Sequence, residues 1–167
     1  RITLTGDFSA PAEGVQLWAD GPYWATTNIG AANAWDYGLY FDWGNIIGYA
    51  PNGTSFSHTF NRTNYANTPG AELEGDIKTA AYDAAMASWG GKWRMPTKAE
   101  FDALLSNCDM KWYDGVEDQY YGKPVAGYKF TGKGDYSGNS IFLPAAGYGL
   151  FSTLFSTGSY GLYWSGS

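Results

Sequence analysis

Histidine and cysteine often perform acid–base or nucleophilic chemistry, and this chain of 167 residues has one of each. A Ser-His-Asp arrangement would have to use His58, which lies in a stretch rich in Phe, Thr and Asn, and no Gly-x-Ser-x-Gly segment precedes a predicted helix. The sequence therefore predicts that His58 is a solvent-facing loop residue. Cys108 has no second thiol to pair with and falls on the apolar side of a predicted helix, so we expect a small core residue.

Four acidic residues stand close together after that helix, and their oxygens are of the kind that Ca²⁺ prefers. They are Asp109, Asp114, Glu117 and Asp118. A solvated loop accounts for the same residues, and we favour that interpretation. The sequence predicts no enzyme, no cofactor and no metal.

Trp93 and Arg94 are adjacent, and such a pair can form a cation–π contact or bind a ligand. Their position just before a helix start favours a structural role, with Trp93 in the core and Arg94 paired with an acidic group or with loop carbonyls. The helix start itself is well marked, because Thr97 is a favoured N-cap residue and Glu100 completes a capping box. We expect this helix to run to about residue 107. Its apolar residues recur at helical spacing: Phe101, Leu104, Leu105 and Cys108.

The composition limits the kinds of partner. The net charge is -6, with 10 Lys and Arg against 16 Asp and Glu, which argues against binding to nucleic-acid phosphates. No apolar run approaches the roughly 18 to 20 residues that span a bilayer, so we expect no membrane insertion by this segment. The 8 Trp, 14 Tyr, 9 Phe and 23 Gly favour a loop-rich domain whose rings fill space and also suit recognition.

The predicted elements are short and widely spaced. Residues 15–27 read as a β-hairpin, and residues 1–14 as a first strand or the end of an upstream module. Residues 29–75 show no sustained period and predict a long irregular segment. A first helix is predicted over 76–89, ended by Gly90 and Gly91. Short strands are then predicted at 112–113, 125–130 and 140–144.

Five separated blocks of residues carry a family resemblance. In chain order they are Trp24-Ala25-Thr26 with Asn28-Ile29-Gly30-Ala31, Asp36-Tyr37-Gly38 with Tyr40-Phe41 and Trp43-Gly44, Trp93-Arg94-Met95-Pro96-Thr97, Phe142-Leu143-Pro144-Ala145-Ala146-Gly147, and Tyr163-Trp164-Ser165. Together these signature blocks resemble the Fibrobacter succinogenes major paralogous domain family. That family is similar to the C-type lectin-like fold, to formylglycine-generating enzymes and to the variable proteins of diversity-generating retroelements.

The resemblance implies an α+β, C-type lectin-like domain over residues 15–167, in which two helices flank a small, mostly antiparallel sheet with long irregular loops. It also implies further strands after the Tyr-Trp-Ser motif, so we expect the last strands to be lacking here. The catalytic relatives need a cysteine pair near this end, and sugar-binding C-type lectins use Glu-Pro-Asn or Gln-Pro-Asp loops. Neither pattern occurs in this chain.

The stretch between Gly147 and Trp164 mixes aromatic, aliphatic and hydroxyl side chains with glycines, and residues 147–167 contain no charge. Antibody binding sites use the same chemistry, and in the resembled variable proteins this stretch holds the varied positions. The candidate ligand-binding residues are Leu150, Phe151, Ser152, Thr153, Phe155, Ser156, Tyr160 and Leu162. Packing of these rings under loops is the alternative, whereas Tyr163 and Trp164 are expected in the core.

The function expected from the resemblance is a recognition or adhesion domain at a bacterial cell surface, outside the cell or on a phage particle. Its ligand would be a protein or glycan on another cell or host surface. A retroelement-diversified variable protein is the leading hypothesis; a fixed adhesin, a pilus-tip domain or a structural module of a Bacteroidetes surface protein is the alternative, followed by an unrecognised enzyme. A template repeat and a reverse transcriptase beside the gene would favour the first, and an upstream lipoprotein or pilin domain the second.

Overall fold

The computed structural model describes residues 11, 14–60, 76–90 and 92–167. The chain is α+β, with two short helices, one 3-10 helix and three small antiparallel sheets in this part. The α+β class expected from the sequence is therefore confirmed. The elements in chain order are β1 Val15–Gln16, β2 Tyr23–Trp24, β3 Ser55–Phe60, α1 Ala84–Trp89, α2 Lys98–Asn107, β4 Asp109–Tyr113, β5 Gly127–Thr131, a 3-10 helix Gly134–Tyr136, β6 Ser140–Pro144 and β7 Tyr148–Phe155.

The largest sheet has three strands in the order β4-β5-β6, and α2 packs against it. Leu104 and Cys108 from the helix meet Phe130 and Ile141 from the sheet, and Leu17 and Trp24 of the N-terminal hairpin complete this core cluster. Burial of Cys108 confirms its predicted core position. Leu105 does not join the apolar face that the spacing predicted, because its side chain is exposed.

α2 begins as the sequence predicts. The Thr97 side chain accepts a hydrogen bond from the Glu100 backbone N–H, and the Glu100 carboxylate accepts one from the Thr97 N–H. These two bonds satisfy two of the N–H groups that every helix start leaves unpaired. The hairpin β1–β2 and the strand Ser140–Pro144 are also confirmed, whereas β4 and β5 differ from their predicted bounds by a few residues.

The first helix is shorter than predicted and begins at Ala84 instead of residue 76. The reason is Asp83, which lies in extended backbone and is 1% exposed. One of its carboxylate oxygens accepts from the Met86 N–H at 2.9 Å, and the other accepts from the Met95 N–H at 2.9 Å. Asp83 thus ends the preceding turn, caps α1 and fixes the segment that leads into α2.

A second, two-stranded sheet pairs β3 with β7, and the sequence interpretation missed both strands. β3 lies inside the stretch expected to be irregular, and its Phe56 and Phe60 are buried with Leu154 of β7. The pairing joins Ser55 to Thr153 and Phe60 to Phe151, so β3 carries an irregularity between these two points. This sheet positions the candidate ligand-binding residues.

Candidate functional site

The candidate ligand-binding residues lie on β7 and on the loop that returns from it, residues 156–162. We call the exposed side chains between Leu150 and Leu162 the tail face. Its most exposed rings and aliphatic groups are Phe151 at 63%, Leu162 at 62%, Tyr160 at 51% and Phe155 at 40%. Ser152 is exposed too, and Leu150, Thr153 and Ser156 are half-buried. All eight predicted residues therefore reach solvent, with the buried Leu154 beneath them.

Backbone hydrogen bonds hold both parts of the tail face, β7 and the return loop 156–162, against the rest of the domain. Leu154 N–H donates to the Thr54 carbonyl at 2.8 Å, which ties β7 to the start of β3. Gly158 N–H donates to Ala145 at 2.8 Å and Gly147 N–H donates to Tyr160 at 2.7 Å, which ties the return loop to the chain before β7. The exposed side chains thus stand on a fixed backbone, which lowers the entropy lost on binding.

Gly147 is the crossing point of β7 and the return loop. Its φ is +68°, and a Cβ added there would lie 2.0 Å from the Phe155 carbonyl oxygen. Its carbonyl also accepts from the Leu162 N–H at 3.3 Å. Only glycine fits at this position without displacing the strand or the loop.

Two rings of this region stack on that of Tyr148. Its ring lies 5.8 Å from that of Phe155 at an interplanar angle of 26°, and 6.2 Å from that of Tyr160 at 9°. The Ser156 hydroxyl donates to the Tyr160 hydroxyl at 3.2 Å. The outer rings therefore keep defined orientations although they are exposed.

Phe151 has φ of +51°, a left-handed conformation that a bulky residue rarely adopts. Non-glycine residues in this region cost of order 1 to 3 kcal/mol and cluster at binding sites. An exposed phenylalanine gains little by burial to offset that cost. Burial of the Phe151 ring therefore does not offset the strain.

The signature blocks meet in space, and their polar side chains join the loop 28–43 to the segment 144–165. Tyr163 donates its hydroxyl to the Pro144 carbonyl, and burial raises its pKa to about 12. Burial likewise raises the pKa of Tyr40. The hydrogen bonds between the two segments are Tyr40 Oη to Ala146 O at 2.7 Å, Trp43 Nε1 to Ser165 O at 2.9 Å, Trp164 Nε1 to Phe41 O at 2.8 Å and Asn28 Nδ2 to Tyr163 Oη at 3.4 Å.

Three rings expected in the core are only partly buried. Trp164 is 46% exposed, because its indole N–H is satisfied by the Phe41 carbonyl at the surface. Tyr163 is only half-buried by exposed area, although its hydroxyl is enclosed. Trp93 is also half-buried, and it packs edge-on against Trp89 with ring centroids 5.5 Å apart. Each of these rings lines a cavity instead of filling a core.

That cavity, of about 1160 Å³, is lined in part by residues of the cluster around Leu104 and of the cluster around Phe60. Its charged lining residues include Asp42, Arg94 and Glu100, which are engaged with other side chains of the protein. Small-molecule sites combine apolar walls with a few polar groups aimed at the ligand. Here the walls are present and these three polar groups are turned to structural partners. The tryptophans of the lining are Trp24, Trp43, Trp89, Trp93 and Trp164.

Arg94 takes both partners that its position suggested. Its guanidinium donates to the two carboxylate oxygens of Glu100 at 2.8 and 2.6 Å and to the Met95 carbonyl at 3.1 Å. The Arg94 hydrogen bonds, with those from Thr97, hold the pKa of Glu100 below its usual range. The structural role expected for Arg94 matches this geometry, since the ion pair braces the cap of α2.

His58 is not the solvent-facing loop residue that the sequence predicted. It lies on β3 with Nε2 2.6 Å from Oδ2 of Asp42, and its ring stacks on Tyr49 at 3.8 Å. The prediction was wrong because the polar composition around His58 hid the alternation of Phe56, His58 and Phe60 on one side of a strand. The His58–Asp42 pair joins β3 to the loop 40–49.

The acidic residues after α2 hold the protein's own loop. Asp114 Oδ1 accepts from the N–H groups of Val116 and Asp118 at 2.8 and 3.0 Å, and these bonds lower its pKa. Asp118 pairs with Lys111 at 2.9 Å. Within the described ranges, no group of three or more His, Cys, Asp or Glu residues is arranged to hold a metal ion.

No protein-family model, curated protein or solved structure matches this chain. Where the structure is described, the helices are too short and too polar to cross a lipid bilayer. The tail face presents exposed rings and hydroxyls on a backbone that is held by hydrogen bonds.

Proposed function

We propose that this chain is a non-enzymatic recognition domain that binds its ligand through the tail face. One observation carries the proposal: four large apolar side chains stay exposed on an uncharged segment whose backbone is tied down at β7 and at the return loop. Two of the four, Phe155 and Tyr160, lie together because both stack on Tyr148, and exposed apolar groups that lie together mark interaction sites more often than scattered ones do. A fixed backbone lets such groups bind without a large ordering cost.

The C-type lectin-like fold, as in the resembled family, is part of this proposal. Its support is the convergence of the signature blocks, which hold the loop 28–43 against the segment 144–165 through side-chain hydrogen bonds. The tail face residues fall between the last two blocks in sequence. A fold that presents a variable surface needs a constant scaffold and an exposed stretch. The signature blocks would supply the scaffold, and the residues between the last two blocks would supply the exposed stretch.

The proposal places the domain outside a bacterial cell or on a phage particle, as a retroelement-diversified variable protein or as a fixed adhesin. Backbone bonds carry much of the anchoring of the return loop, so its side chains can change without loss of those bonds. That property favours the diversified form. A fixed adhesin or a structural module remains the second candidate because the same rings suit one constant partner.

The test uses the fluorescently labelled domain and a panel of intact bacterial and animal cells, with binding measured by flow cytometry. The variant Phe151→Ser/Tyr160→Ser removes two tail face rings. The control Trp112→Ser/Tyr128→Ser removes two other exposed rings, at 36% and 41%, that lie on β4 and β5. Circular dichroism and the melting temperature confirm that both variants fold.

We expect the wild type and the control to bind the same cells, and the tail face variant to lose about tenfold or more in affinity for each ring removed. Equal losses in the two variants would refute the assignment of the binding surface. Absence of binding to every cell type would count against recognition as the function.

A further inference from the structure

We infer that the ligand of the tail face is a protein that presents an uncharged, apolar patch, and not a glycan. This inference rests on the proposed function and adds the chemical class of the partner. It follows from three properties of the face, namely its charge, its hydrogen-bonding groups and its shape.

The tail face carries no formal charge within a molecule whose net charge is -6. All 26 charged residues, 10 basic and 16 acidic, lie outside residues 147–167. A charged partner group placed against this face would lose its hydration without gaining an ion pair. The complementary surface is therefore uncharged as well.

The side-chain hydrogen-bonding groups of the face are all hydroxyls, on Ser152, Thr153, Ser156, Thr157, Ser159 and Tyr160. A glycan offers many hydroxyl groups, each of which needs a fixed donor or acceptor when water is excluded. Residues 147–167 contain no carboxylate, amide, imidazole or guanidinium side chain, so hydroxyls, the Trp164 indole and the backbone are the polar groups present. The Ser156 and Tyr160 hydroxyls already bond to each other, and the Trp164 indole bonds to Phe41. Without carboxylate, amide or guanidinium groups, which can bind two neighbouring sugar hydroxyls at once, the face suits a protein patch with few polar groups better than it suits a sugar.

The shape of the face also favours a protein. Ligand pockets for small molecules are concave. Among the described residues that line the cavity is Leu162, whereas Phe151, Phe155 and Tyr160 lie outside its lining. These three rings are exposed on an uncharged segment, and the centres of protein interfaces are likewise enriched in aromatic residues and depleted of charged ones.

Binding of this kind depends weakly on salt. Salt screens interactions between charges, and it leaves the burial of apolar surface intact or strengthens it. We expect less than about a twofold change in affinity between about 0.05 and about 1 M NaCl. Association with a glycan through fixed charges or with an anionic lipid surface would weaken over the same range.

The experiment measures binding of the labelled wild-type domain to cells that it recognises, after treatment of the cells with proteinase K or with sodium periodate. The first removes surface proteins, and the second oxidises the vicinal diols of sugars. The same cells are tested with Phe151→Ser/Tyr160→Ser and with the control Trp112→Ser/Tyr128→Ser.

The inference predicts that proteinase K abolishes binding, that periodate leaves it unchanged and that salt has little effect. Loss of binding after periodate, survival after proteinase K, or a tenfold loss at high salt would each overturn the protein assignment. In those cases selective loss in the tail face variant would still support the proposed function. If the two variants bind alike, the proposed function fails and the inference fails with it.

Discussion

At the scale of single residues, Phe151 is the position where the stability of the folded domain and the proposed binding role have opposite requirements. Its left-handed backbone and its exposed ring both cost the folded state something that the domain alone does not recover. Strained residues of this kind persist where they serve a binding site. Replacements at this position separate the backbone cost from the value of the ring.

We predict that Phe151→Gly is more stable than Phe151→Ala by about 1 kcal/mol, because glycine adopts a positive φ without steric cost. Phe155 gives the matched control, since it is also exposed on β7 and its φ is not positive. There the order should reverse, with Ala more stable than Gly. Chemical denaturation of the four variants measures both differences, and the same order at the two positions would contradict a strained Phe151.

The buried side chain of Asp83 sets where α1 begins and holds the segment that leads into α2. Both of its oxygens accept backbone N–H bonds, one from α1 and one from the segment before α2. The sequence interpretation placed Asp83 inside a helix, because Ile77 and the following alanines fall at helical spacing. The preference of aspartate for the N-cap was the signal that could have corrected it.

At the scale of elements, α2 is the part most fully predictable from sequence, because its start depends on neighbours within a few residues. Thr97 and Glu100 bond each other's backbone, and Arg94 reaches Glu100 across the same turn. Interactions between residues this close in sequence can be predicted from a short sequence pattern. The pairing of β3 with β7 joins Ser55 to Thr153 and Phe60 to Phe151, which are far apart in sequence, so no short sequence pattern predicts it.

We predict that Arg94→Ala lowers the free energy of unfolding by about 1 kcal/mol at pH 7, a modest value because the guanidinium is half exposed. The folded pKa of Glu100 is lowered, so its contribution is complete above its unfolded pKa of about 4.3 and is lost as pH falls through the folded value. The difference between wild type and variant should therefore shrink in acid. Denaturation from pH 7 down to about pH 3 measures it.

Lys98→Ala is the control for that prediction, because the Lys98–Asp102 pair is exposed on the same helix. Its effect should stay below about 0.5 kcal/mol. An Arg94→Ala effect that is no larger than this, or one that does not change with pH, would contradict a bracing role for the ion pair.

The crossing of β7 and the return loop gives a second prediction for an element. Gly147→Ala should cost about 3 kcal/mol or more, because the added Cβ meets the Phe155 carbonyl as well as an unfavourable φ. Gly158→Ala shares the positive φ, yet nothing lies within 4 Å of the added Cβ, so it should cost only about 1 kcal/mol. Thermal unfolding of both variants gives the comparison, and equal costs would mean that the crossing is less tightly packed than the structure has it.

At the scale of the whole molecule, buried residues of two apolar clusters line a large cavity, and hydrogen bonds from the aromatic signature residues join the loop 28–43 to the segment 144–165. The sequence identified these residues and the exposed stretch between the last two blocks. It could not tell which rings face the cavity and which face solvent, because Trp93, Tyr163 and Trp164 differ in surroundings and not in local pattern. The placement of Trp164 at the surface follows from one carbonyl, that of Phe41, which is distant in sequence.

Under the proposed function, this chain consists of a scaffold whose residues are kept constant and a tail face whose residues are free to change. Sequencing the region that encodes residues 140–167 in many related isolates or phages tests that division most directly. We predict that amino-acid replacements concentrate at the exposed positions, above all 151, 152, 155, 160 and 162, while Gly147, Leu154 and Tyr163 stay the same. Replacements spread evenly over exposed and anchoring positions, or silent changes alone, would contradict a diversified recognition face.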